Sequence, residues 1–277
     1  MGQLIGDFAE TRVLVIANQK GGVGKTTTAI NLGTALAAIG ERVLIIDLDP
    51  QGNASTGLGI DYATRKQSSY DLMTGQAGIE TAAIATSVPR LSIVPSTLDL
   101  LGFEMEVSQT SNRAFRLRNA LADFSGKRGE GEALPYSYML LDCPPSLNLL
   151  TLNAMAAAQS ILVPLQCEFF ALEGLGQLLR TVEEVKGSIN PGLSIHGIVL
   201  TMFDSRNKLS GQVVDDVRSF MGDKVYKTII PRNVRVSEAP SYGKPALLYD
   251  YKCSGSQAYL QLASEIIQRE RALHDAA

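Results

Sequence analysis

Cysteine and histidine are scarce in this chain. Of its 277 residues three are cysteines, Cys143, Cys167 and Cys253, odd in number and far apart. Neither a disulfide framework nor a C-x-x-C metal site can be built from them, so they read as small, buried side chains. The two histidines, His196 and His274, are too few and too distant for a zinc site. Long apolar runs are also missing. No segment approaches the roughly 18 uninterrupted apolar residues of a membrane helix, and the opening MGQLIGDFAETR lacks the basic-then-apolar layout of a signal peptide. Gly2 is not followed by Ser or Thr where a myristoylation signal requires it. The expected location is the cytoplasm. Net charge is −3, so no global basic excess advertises a nucleic-acid partner. No internal repeat or low-complexity linker interrupts the chain, and SGKRGEGEALP (125–135) reads as an exposed loop.

What is present is an alternation of strand and helix. Hydrophobic residues make up 45% of the chain, enough for a sizeable core. Near-continuous apolar runs at 12–18, 42–49, 91–96, 138–144, 160–166, 194–203 and 227–231 read as buried strands. Helical spacing at 25–39, 100–124, 147–158, 173–188, 210–221 and 256–273 falls between or after them. This pattern predicts one α/β domain over 1–277: a doubly wound, mostly parallel sheet with helices on both faces. Residues 1–11 are expected to form a flexible extension before it. In such a sheet, ligands gather at the carboxyl ends of the strands.

The stretch NQKGGVGKTTT (18–28) follows the first strand and opens the first helix. Gly21, Gly22 and Gly24 let the backbone amides turn inward, Val23 lying among them, so that the loop and the helix start can hold nucleotide phosphates. Lys25 adds a point charge to the same oxygens, and the Thr26 hydroxyl is placed to ligate Mg²⁺. Gln19 stands where the G-x-x-x-x-G-K-[ST] pattern asks for glycine, and Lys20 is a second cation. Asp142 follows the apolar run YMLL, the context of a strand-end carboxylate holding Mg²⁺. Asp47 and Asp49 alternate at the end of the second strand and cannot both point one way while it stays regular. Asp49 can orient a water toward the γ-phosphate; Asp47 serves either the metal or the loop. The nearest string to the guanine-reading N-K-x-D is NKLS (207–210), which lacks the carboxylate, so ATP is favoured over GTP.

KGGVGKTTT, LIIDLDPQGN and LLDCPPS closely resemble the deviant Walker A ATPases. TMFD (201–204) followed by IIPRNVRVSEAPSYGKP (229–245) resembles the ParA/Soj chromosome-partitioning family specifically, over nearly the whole chain. The resemblance implies that Lys20 reaches the nucleotide of a partner subunit, making two ATPs part of a homodimer interface. It implies that Lys25, Thr26 and Thr27 bind phosphate and metal, and that Asp49 positions the hydrolytic water. Pro231 and Asn233 match the adenine-pocket segment; 51–56 and 144–150 match the nucleotide-sensing segments. Gln19 agrees with the family pattern. ATP and Mg²⁺ are the implied cofactors, and a ParB-like centromere-binding protein is the implied partner.

Residues 203–236 hold seven Lys or Arg against four Asp, a local excess in an acidic chain. Arg206 and Arg235 fall where the family carries its DNA-contacting arginines, implying nonspecific binding to double-stranded DNA and a nucleoid location. The first strand begins too early for the N-terminal helix-turn-helix domain of larger plasmid relatives, so no sequence reader is expected. The alternative is a MinD-like membrane-surface ATPase, but the tail AYLQLASEIIQRERALHDAA has no Phe or Trp and balances its arginines with acids. It reads as a helix packed on the sheet, and no membrane partner is expected. An iron–sulfur electron carrier would need differently placed cysteines, and the arsenite-pump relatives carry two phosphate loops where this chain has one.

Overall fold

Strands with no polar alternation must be covered on both faces, and those of this chain are. The computed structural model describes residues 11–126 and 135–275, so the expected extension before Thr11 and most of the 125–135 loop lie outside the described residues. In chain order the strands are β1 (Arg12–Ile16), β2 (Val43–Asp47), β3 (Ile84–Ala85), β4 (Leu91–Val94), β5 (Tyr138–Asp142), β6 (Ser160–Gln166), β7 (Ser194–Phe203) and β8 (Val225–Pro231). They form one sheet in the order β3-β4-β2-β5-β1-β6-β7-β8. Every pairing is parallel except the short β3–β4 ladder.

Two hydrophobic cores result, one on each face. Helices Lys25–Ala38 and Ser254–Asp275 pack on one side, with Leu32, Leu36, Leu262 and Ile266 inaccessible. Helices Arg116–Gly126, Leu149–Ala157, Ala171–Ser188 and Lys208–Met221 pack on the other. Each fully buried aliphatic side chain contributes ~1.5–3 kcal/mol of transfer free energy. The last helix lies on the sheet as its sequence suggests, burying its apolar stripe.

The expected continuous helix at 100–124 is broken. A 3-10 turn at Leu98–Leu101, a short helix Phe103–Glu106 and a second 3-10 turn Arg113–Phe115 precede the helix Arg116–Gly126. Between them hydroxyls bond to nearby carbonyls: Ser108 Oγ donates to Met105 O at 2.7 Å and Thr110 Oγ1 to Val107 O at 2.8 Å. Such local bonds compete with helix continuation.

β1 lies at the centre, with β5 on one side and β6 on the other. The crossovers diverge there, and the crevice at the carboxyl end of β1 is the topological switch point where open α/β sheets bind ligands.

Candidate nucleotide site

The chain leaves β1 and turns through 17–24 before the helix Lys25–Ala38 begins. Gly22 and Gly24 have φ of 75° and 90°, a region that a side chain would strain. Gly24 caps the helix without any side-chain hydrogen bond, leaving the first amides for an external acceptor. Two side chains outside the motif clamp the loop. Asn18 Nδ2 donates to Pro164 O at 2.8 Å while its Oδ1 accepts from the Lys20 amide at 3.0 Å. Thr201 Oγ1, near the end of β7, donates to Val23 O at 2.8 Å.

Lys25 is 7% exposed, and its Nζ donates to Lys20 O at 3.0 Å. Burial lowers its pKa, opposed by the charges of Asp142, Cys143 and Asp49. Asp142, at the end of β5, is wholly inaccessible, and neither carboxylate oxygen has a hydrogen-bond partner. Burial first, and then the charge of Asp47, push its pKa well above the usual carboxylate range; the nearby Thr26 side chain and Lys25 pull the other way. An ionised carboxylate in that position is costly unless a cation meets it. Two orphaned oxygens beside a threonine hydroxyl form a hard-oxygen donor set that suits Mg²⁺. Among the described residues no group of three or more His, Cys, Asp or Glu could hold a metal. The ion would therefore share its shell with phosphate oxygens and water.

Asp47 goes to the loop. Its Oδ2 accepts from the Ser55 amide at 2.9 Å and the Ser55 hydroxyl at 2.6 Å, and its Oδ1 from the Asp49 amide at 3.2 Å. Burial raises its pKa to about 6 against those bonds. Asp49 lies two residues beyond the strand, where its Oδ1 accepts from the Gln51 amide at 3.0 Å and its carbonyl from Ser96 Oγ at 2.6 Å.

Gly21, Gly22, Gly24, Lys25, Thr26, Thr27 and Asp49 come together around one cleft of about 580 Å³. Gln51, Asn53 and 144–146, from the two segments matched to nucleotide sensing, line it as well. Val23 is buried and does not line the cleft. Lys20 turns aside: its Nζ pairs with Glu168 and stands 6.0 Å from the centre of the Phe170 ring. Pro231 and Asn233 do not line this cleft. Pro231 ends β8, while Asn233 caps the helix Val234–Glu238, accepting from the Arg235 amide at 2.9 Å and donating to Ser254 Oγ at 3.0 Å. Arg206 and Arg235 are exposed and already paired. Arg206 donates to both oxygens of Asp204 at 2.9 and 2.7 Å, holding that carboxyl down to about 2. Arg235 meets Glu238 at 3.1 Å and Asp250 at 3.6 Å. Sequence reasoning missed Met202, which lines the cleft with a left-handed φ of 53°. Nothing in its residue type signals that conformation.

A doubly wound sheet with such a loop at its switch point defines the class, a P-loop ATPase. The AAA domain family matches residues 11–195. The chain is 64% identical over 260 residues to the chromosome partitioning protein ParA of Caulobacter vibrioides, covering 94% of this chain and 95% of that one. It is 50% identical to the sporulation initiation inhibitor protein Soj of Bacillus subtilis, over 92% of this chain and 98% of that one. The structure of cobyrinic acid a,c-diamide synthase from Mycobacterium smegmatis, with bound ADP and magnesium, superposes with a TM-score of 0.80 at 35% identity, covering 95% of this chain and 96% of that one. The chain belongs to the ParA/Soj family of chromosome-partitioning ATPases.

Proposed function

We propose that this protein binds ATP with Mg²⁺, closes into a homodimer on two nucleotides, and in that state holds duplex DNA without reading its sequence. A ParB-like centromere-binding partner then stimulates hydrolysis and releases it, so that chromosome or plasmid origins are moved apart over the nucleoid. The observation that carries the nucleotide half is the orphaned Asp142 carboxylate beside Lys25 and Thr26. It calls for a cation, and the phosphate loop supplies the place for that cation's other ligands.

Roles follow from position. The loop amides and Lys25 would bind the phosphates, and Thr26 and Asp142 would hold Mg²⁺, which when bound would supply charge neutralisation at the phosphate oxygens. Asp49, at the cleft wall, orients the attacking water. Lys20 sits outside the cleft on Glu168 and, once two copies meet, leaves that partner and crosses to the other subunit's nucleotide. The adenine goes to the Pro231–Asn233 segment by the family match alone, since neither residue lines the cleft. Arg206 and Arg235 hold DNA phosphates in exchange for their present carboxylate partners.

The test is binding to an arbitrary duplex with ATP–Mg²⁺ and with ADP–Mg²⁺ at two salt concentrations, with anionic liposomes alongside. Two arginines per chain engage about four phosphates in a dimer, and a salt slope near −3.6 follows. DNA binding only with ATP supports the reading. Binding to liposomes and not to DNA would return the protein to the membrane-surface class. Among the described residues no helix is long and apolar enough to cross a membrane, and the terminal helix spends its apolar face on the core.

A further inference from the structure

The end of the sheet opposite the phosphate loop carries a second cleft, with polar side chains that the nucleotide chemistry does not use. Its volume is about 790 Å³, within the range usual for small-molecule sites. One wall is the helix Ala171–Ser188, through Val182 and Lys186; the other is the helix Ser254–Asp275, through Arg269 and Ala272. Arg12 and Ser160, the first residues of β1 and β6, also line it.

The backbone is shaped to build this end. The register of β7 against β6 shifts so that His196 is the extra residue of a bulge. A Cβ on the next residue, Gly197, would stand 2.5 Å from the Tyr226 ring, so only glycine leaves room for it. His196 Nδ1 meets the Tyr226 hydroxyl, and its Nε2 lies 2.8 Å from Glu270. Glu270 pairs in turn with Arg12 at 2.7 Å, and the Arg269 guanidinium covers the Tyr226 ring at 4.1 Å.

That network satisfies His196 and Glu270 but leaves donors over. Arg12 Nε and Ser160 Oγ are buried without a hydrogen-bond partner, as is the hydroxyl of Tyr138, the register neighbour of Arg12. Each can donate, and buried donors require an acceptor. Charge points the same way: five Lys or Arg line the cleft against three carboxylates. Lys224 and Lys227 form no side-chain ion pair among the described residues.

We propose that this cleft binds a small organic phosphate. Arg12, Ser160 and Lys227 face its oxyanion, and Val182, Leu193 and Ile195 face its carbon body. The inference stands apart from the nucleotide reading, since none of these residues lines the phosphate-loop cleft.

The experiment uses the full chain with saturating ADP–Mg²⁺, so that the phosphate loop is filled. Methyl-labelled protein is titrated with phenyl phosphate, glycerol 3-phosphate and inorganic phosphate while the Val182, Leu193 and Ile195 signals are followed. Saturable shifts are expected there, with phenyl phosphate about tenfold tighter than inorganic phosphate because the apolar wall adds burial. The double variant Lys224→Glu, Lys227→Glu should weaken binding about tenfold or more. Ser160→Ala, a smaller change, should weaken it about threefold with an unaltered melting curve. Absence of saturable shifts up to about 10 mM, or indifference to the double lysine variant, overturns the proposal. So does loss of duplex DNA binding in that variant, measured separately with ATP–Mg²⁺, when no phosphate compound binds, which would assign the lysines to a nucleic-acid surface.

Discussion

At the residue scale the nucleotide site is a set of charges that do not suit the protein alone. Burial disfavours the charged form of both Lys25 and Asp142, and a metal–polyphosphate beside them reverses that preference. Lys25→Ala should weaken ATP binding to the single chain by about 10- to 100-fold, the range for losing a charged hydrogen-bond partner, and should abolish the ATP dimer. Lys20→Ala should also abolish the dimer. It should leave single-chain affinity within about threefold, because the lysine sits outside the cleft on Glu168. Nucleotide titration and sedimentation with a slowly hydrolysed analogue separate the two. Asp49→Ala should keep the dimer while phosphate release falls by about 100-fold or more, as expected on removing a water-positioning group. Arg235→Glu should spare dimer and hydrolysis yet lose DNA, measured by anisotropy. The new carboxylate would also face Glu238 and Asp250, so its melting temperature is the control.

At the element scale, the tie between β7 and the phosphate loop is the contact to test. Thr201→Val keeps the shape of the side chain and removes the bond to Val23 O. ATP affinity should fall about fivefold, in line with ~1 kcal/mol for one buried neutral hydrogen bond. Unchanged affinity would mean that the loop holds its form without β7. The long strands were legible because burial on both faces leaves an unbroken apolar run, as in VLIID and YMLLD. β3 was not: it is two residues long and only partly covered. The interrupted helix at 98–126 was hidden for a different reason. Helical spacing records which residues face the core, while the breaks depend on where Ser108 and Thr110 send their hydroxyls.

At the scale of the whole molecule, stability depends on pH through Asp47, which the fold buries behind Ser55. Its folded pKa of about 6 is above the usual carboxylate value. The protonated form is therefore favoured by folding, and this contribution is complete below the unfolded pKa and lost as pH rises through about 6. Nucleotide-free protein should melt at lower temperature as pH is raised from about 4 to about 7, and Asp47→Asn should make that trend shallower in calorimetry, the remainder coming from Asp142, whose pKa burial also raises. The phosphate loop could be read from spacing because its residues are consecutive. The distal network could not, since Arg12, Ser160, His196, Tyr226 and Glu270 meet only once the sheet is assembled.

β1 joins the two ends. It is five residues long, about 16 Å at the usual rise per residue, and it is held between β5 and β6 in the middle of the sheet. A strand gripped on both edges and buried on both faces has little room to bend, so it behaves as a short rod. The ladders that keep it straight also hold its register, so the glycine turn at one tip and the Arg12–Glu270 pair at the other are kept at a fixed separation. The ion pair at the far tip and the phosphate loop are thus mounted on one rigid frame.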